Sequence, residues 1–216
     1  MKLFDPEGPL MSALGTFCDL VFCNVLFCLL SLPLFTVGAS AAALYDCTLA
    51  IVQQNEGSSI VARFWEAFRR NFRRATVLWF VLLGAALFLW AYARAVDALS
   101  GDLHRLYRVT FFVLLFVFLA GAQYVFPLQA RFRRAGRTVS IPYTLKTAWL
   151  LSAAALPWTL CALGISVGAV YVSFFLNSAA LNTAVFLWAF GVFAVIAYLQ
   201  SFLYVRAFRV LDRLAP

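Results

Sequence analysis

The sequence predicts an all-α, polytopic membrane bundle of about six transmembrane helices, and three observations carry that prediction. Apolar runs recur along the whole chain, the composition is 64% hydrophobic and only 12% charged, and the arginines gather in three clusters at the ends of those runs. A mean hydropathy of +0.90 is too apolar for a water-soluble surface. Crossing a hydrocarbon layer of about 30 Å takes about 20 apolar residues per helix. The 216 residues therefore read as a single membrane domain, 1–216, with no room for a soluble one.

The first run, about 14–35, closes at Ser31-Leu32-Pro33 and the turn-prone Thr36-Val37-Gly38. Residues 20–37 followed by Ala39-Ser40-Ala41 mimic a signal-peptide core and cleavage site. Asp5 and Glu7 accompany Lys2 in the leader, however, and Asp19 opens the run, so an uncleaved first span is expected. The second run, about 38–53, is shorter, rich in alanine and interrupted by Asp46. At about 1.5 Å per residue it only just crosses. A full span is the first reading, and a re-entrant hairpin competes with it.

Between about 58 and 74, Val61, Phe64, Trp65, Phe68 and Phe72 draw one apolar stripe at helical spacing, with Arg63, Arg69, Arg70 and Arg73 on other faces. This pattern predicts a cytoplasmic amphipathic helix lying in the interface before the third span. It would start at Ser58 or Ser59, after Asn55-Glu56-Gly57. Four more runs follow, about 75–96, 108–130, 147–172 and 182–205. The short connections 97–107 and 173–181 make them two antiparallel hairpins. The stretch from Arg131 to Lys146, with Gly136 and Ile141-Pro142, repeats the arrangement of the first basic segment.

Direction follows from the charges. Arg63, Arg69, Arg70, Arg73 and Arg74 precede the third span, Arg131, Arg133, Arg134, Arg137 and Lys146 separate the fourth from the fifth, and Arg206, Arg209 and Arg213 follow the sixth. All three clusters fall on one side. By the positive-inside rule that side is the cytoplasm, which also places both termini there. Trp90, Tyr92 and Tyr171 then sit near outer ends, and Trp79 and Trp149 near inner ends. Trp158 and Trp188 fit packing between helices better.

Two groups of residues are candidates for function. Phe64, Trp65, Phe68, Arg69, Arg70, Phe72, Arg73 and Arg74 form a basic, aromatic surface for a partner subunit or for anionic lipid head groups. Asp19, Asn24 and Asp46 are the unusual polar groups of the first two spans, where a carboxylate costs about 2.5–3.5 kcal/mol on insertion scales. Asp19 lies within reach of interfacial water, and Asn24 suits a hydrogen bond across helices. Asp46, deeper in its run, requires a partner on another helix or a polar cavity.

Other chemistry is not supported. Cys18, Cys23 and Cys28 turn about 140° per step around a helix and share no face for a metal, and Cys47 and Cys161 lie in other spans. His104, beside Asp102 and Arg105, reads as a loop residue. Walker A, G-x-G-x-x-G and H-E-x-x-H sequences are all missing. No enzyme, cofactor or metal site is expected. Nucleic acid is not expected either: the net charge of +8 comes from residues that flank apolar runs.

Several words of the sequence resemble the YesL family of bacterial multi-pass membrane proteins, long a family of unknown function. They are Phe4-Asp5-Pro6-Glu7-Gly8-Pro9, Asp19-Leu20 with Asn24, Ser31-Leu32-Pro33, Thr36-Val37-Gly38-Ala39-Ser40 and Ala43-Leu44-Tyr45. Further matches are Glu56-Gly57, Phe64-Trp65, Phe68, Asn71-Phe72, Ala75-Thr76 and Trp79, then Thr144-Leu145-Lys146 and Pro157-Trp158. The resemblance implies a protein of the bacterial cell membrane encoded beside carbohydrate ABC importers. The Arg131–Lys146 segment carries no glutamate and lacks the E-A-A loop of importer permeases, so the chain does not resemble the permease itself.

What the resemblance implies is an accessory subunit that binds the permeases and, through them, the ATPase and sugar-binding protein. An independent small sugar transporter or channel, acting as a homo-oligomer with Asp46 in its pathway, is one alternative. A cell-envelope assembly scaffold is the other.

Overall fold

The computed structural model describes residues 9–54, 59–97, 101–175 and 188–214. The leader words before Pro9, the Asn55-Glu56-Gly57 breaker with Ser58, and most of the fifth-to-sixth connection, with the start of the sixth run, lie outside the described residues. Seven α-helices are described: α1 (Pro9–Ser31), α2 (Val37–Val52), α3 (Ile60–Asp97), α4 (Asp102–Arg134), α5 (Ile141–Ala154), α6 (Leu156–Phe175) and α7 (Phe193–Leu214). A 3-10 turn, Leu34–Thr36, precedes α2, and a π-helical turn, Trp188–Val192, runs into α7. No strand occurs among the described residues. Six helices are long and apolar enough to cross a membrane, which makes this a multi-pass membrane protein by length and composition.

The largest departure from expectation is at residues 60–74. They form no separate interfacial helix but the first turns of α3, a single helix of 38 residues, about 57 Å long. The cause is visible in the buried positions Phe64, Ala67, Phe68, Asn71, Ala75, Leu78 and Leu82. Their three- and four-residue spacing carries one stripe across the expected boundary, and the residues between are good helix formers.

The fifth span is likewise not one helix. Pro157 has no N–H to give and its ring excludes an unbroken helix, so α5 stops at Ala154 and α6 starts at Leu156. The hydroxyl of Thr159 reaches back across the break to the Ser152 carbonyl (2.9 Å) and also bonds the Ala155 carbonyl (3.1 Å).

At the other helix ends the arginines belong to helix rather than loop. Arg131, Arg133 and Arg134 form the last turn of α4. Gly136, at φ +69°, then closes that helix as Arg137 N–H donates to the Phe132 carbonyl at 2.9 Å. His104 falls on the first turn of α4, not in a loop, with Nδ1 3.0 Å from the Val96 carbonyl.

α2 is the centre of the bundle. In its apolar window 67% of the residues are buried, against 17% for α1. Small side chains allow this: Ala39, Ala42, Ala43 and Ala50 are buried, and Gly38 lies against the backbone of α3. A Cβ at Gly38 would stand 2.4 Å from the Ala75 carbonyl oxygen and 2.7 Å from the Trp79 Cβ. One core cluster joins α1, α2, the first half of α3 and the start of α7; the other joins α4, α5, α6 and the end of α7 to Leu49, Leu78 and Leu82. Beyond Trp79, α3 buries only Leu82, Leu89 and Val96. That seven-residue spacing is one narrow strip, and the same end of α3 touches α4 where Tyr92 stacks on Phe111.

Candidate functional site

Asp46 is the organising polar residue. Its side chain is 4% exposed, and one carboxylate oxygen accepts from Arg70 Nη2 at 3.3 Å and from Arg134 Nε at 3.2 Å. Arg134 also donates to the Asp46 carbonyl and to Gln53 Oε1. Arg133 donates to the Arg70 carbonyl at 3.0 Å, and Arg74 to the Val139 carbonyl. The two basic segments are thus bolted to α2 and to each other. A carboxylate this deep persists only when paired and hydrogen-bonded; Asp46 has partners on two helices.

Asn24 is fully buried and bonds across helices. Its amide donates to the carbonyls of Trp188 (3.1 Å) and Ala189 (2.7 Å), and its Oδ1 accepts from Ala194 N–H at 3.0 Å. A π-turn leaves backbone groups without their usual partners, and Asn24 satisfies three of them. Asp19 is half-buried and partnered.

The basic, aromatic surface is split by the fold. Phe64 and Phe68 are buried against α1 and α2 and present nothing to a partner. Arg70 and Arg74 are engaged internally. Trp65 is 51% exposed and stacks on Phe68, Phe72 is half-buried, and Arg69 and Arg73 are exposed without a carboxylate partner among the described residues. Of that group, Trp65, Arg69 and Arg73 are the side chains that stand exposed. The second and third clusters meet through α7: Arg131 grips Asp212 at 2.6 and 2.8 Å and lies 4.7 Å over Phe208, while Arg206 lies 5.3 Å over Trp158.

Sequence reasoning missed a buried polar layer. Tyr45 donates to Gln200 Oε1 at 2.7 Å, and the Gln200 amide donates to Ser166 Oγ at 2.7 Å. Thr48 and Ser201 hydroxyls meet at 2.9 Å, and Tyr124 and Thr159 at 3.0 Å. Such bonds are the adhesive between helices that share an apolar solvent. Tyrosine in an apolar run reads as a boundary residue, so only the close spacing of Tyr45 with Thr48, and of Gln200 with Ser201, pointed inward.

The groove between α1, α6 and the π-turn is apolar. It holds about 470 Å³ and is lined by Phe17, Leu20, Val21, Ile165, Phe190 and Val195 among others. Without convergent polar groups it suits hydrocarbon rather than a sugar. No curated protein and no solved structure matches the chain. Residues 20–92, which are about half of α1, all of α2 and nearly all of α3, match the family described as "Protein of unknown function, DUF624".

Proposed function

We propose that this chain is a YesL-type accessory subunit of a carbohydrate ABC importer in a bacterial cytoplasmic membrane. It binds the permease subunits and performs no catalysis of its own. The arginine-bearing helix ends, including the C-terminal end of α7, face the cytoplasm, and so does the N-terminal end of α1.

The observation that carries a binding role is the α3–α4 hairpin. Its far half buries a single narrow seam and leaves Leu87, Phe88, Trp90, Val109, Phe112 and Phe116 exposed, two long apolar faces that lipid covers unless helices of another membrane protein displace it. The transporter alternative depended on Asp46, and that carboxylate is held by two arginines. Exposed Arg69 and Arg73 suit anionic head groups, at about 1 kcal/mol each.

The test is gentle solubilisation of membranes containing the tagged chain, followed by identification of what remains bound. Permease and ATPase subunits are expected in stoichiometric amount. An importer that assembles and takes up sugar unimpaired without this chain would refute the proposal.

A further inference from the structure

The register of α2 along α3 sets how far the first hairpin enters the bilayer. Gly38 rests on Ala75 and Trp79, and Asp46 pairs with Arg70; α2 therefore runs down the first half of α3. The turn between α1 and α2 stands at the middle of that long helix. From Trp79 to Asp97, α3 continues for about 27 Å, most of a hydrocarbon layer.

The uncharged runs locate that layer. α3 carries no charge from Ala75 to Ala93, and α4 none from Val109 to Ala130. With the outer boundary near Trp90 and Arg94, a layer of about 30 Å reaches about 20 residues down α3. That is the level of Arg70 and Arg74, where Asp46 is already held. The α1–α2 turn then falls near the bilayer midplane.

The chemistry of the turn agrees. No charged residue lies between Asp19 and Asp46, and at the tip Leu32 is 77% and Leu34 78% exposed. By contrast the α3–α4 connection has Asp97, Arg105 and Arg108 on or beside it. Part of the backbone of the α1–α2 turn is also satisfied from within, as non-helical backbone at membrane depth requires. Leu32 N–H donates to Leu29 and Thr36 N–H to Pro33; the Thr36 hydroxyl donates to Leu30 and Pro33, and Pro33 has no N–H.

We infer that α1 and α2 form a re-entrant hairpin, entering and leaving on the arginine-bearing face with Leu32–Phe35 inside the bilayer, while α3 and α4 cross it completely. Even-numbered passage is preserved, so the arginine clusters share one face in either arrangement and cannot distinguish the two.

Thiol labelling distinguishes them. Leu34→Cys, Leu103→Cys and Arg209→Cys are expressed in bacterial membranes, and an impermeant maleimide is applied to intact cells and to inverted vesicles, with the parent chain as background for its native cysteines. Leu103→Cys should label from outside and Arg209→Cys from inside. Leu34→Cys should lose labelling from both sides and regain it in denaturing detergent. Labelling of Leu34→Cys from the Leu103 side would establish a full crossing, and labelling from the Arg209 side a hairpin outside the bilayer; either overturns the inference. Leu32→Cys, checked like Leu34→Cys for a monodisperse profile, repeats the measurement should Leu34→Cys not fold.

Discussion

Replacing Asp46 by asparagine tests the reading of the basic clusters most directly. The substitution keeps the shape and an acceptor oxygen but leaves Arg70 and Arg134 without their shared counter-charge. Breaking a fully buried pair costs about 3–5 kcal/mol. Here the carboxylate side is 4% exposed but each guanidinium side chain is 28% exposed, so the arginines relax in part toward water. The expected loss is about 2–3 kcal/mol. Reversible unfolding in mixed micelles, titrated with denaturing detergent, reads that difference. Arg134→Gln and the double variant complete a cycle, whose coupling should reach about 1–2 kcal/mol. An Asp46→Asn protein within about 0.5 kcal/mol of the parent, or a cycle with no coupling, would show that the three residues do not act as one unit.

Three further outcomes follow from the packing. Gly38→Ala should destabilise by about 1–3 kcal/mol, because the added carbon meets α3 backbone, whereas Gly15→Ala, with nothing within 4 Å, should leave the unfolding midpoint unchanged. Asn24→Ala strips three backbone groups of the π-turn of their partner; hydrogen exchange across 188–194 should quicken, with about 1–3 kcal/mol lost. Arg69→Gln with Arg73→Gln should weaken the retention of phosphatidylglycerol relative to phosphatidylcholine by the purified protein in mixed micelles by about fivefold per residue, with no shift of unfolding midpoint. Equal retention of the two lipids by the parent would contradict that role.

Much of the fold could be read in the sequence because bilayer helices announce themselves by length and apolarity. The helix ends were less legible. Pro157 breaks the fifth run although the run stays apolar across it, and the Phe64–Leu82 stripe passes through an arginine cluster that marks a boundary by composition alone. Hydropathy reports where charge is, not whether it is paired: Arg70 and Arg134 look like surface residues until Asp46 is placed between them. Asn24 shows the opposite case, since a lone amide in an apolar helix has few alternatives to a cross-helix bond. The tyrosine and glutamine layer needed three-dimensional neighbours, because each residue alone is unremarkable near a membrane boundary.

The Asp46 clasp also constrains biogenesis. Its partners lie 24 and 88 residues further along the chain. At synthesis rates of about 5–20 residues per second, α2 waits about 4–18 s for Arg134 to be made. For the first 24 residues of that interval its carboxylate has neither arginine, and for the rest it has only Arg70. The helix that ends as the centre of the bundle is therefore among the last to settle, drawn inward only when α4 arrives.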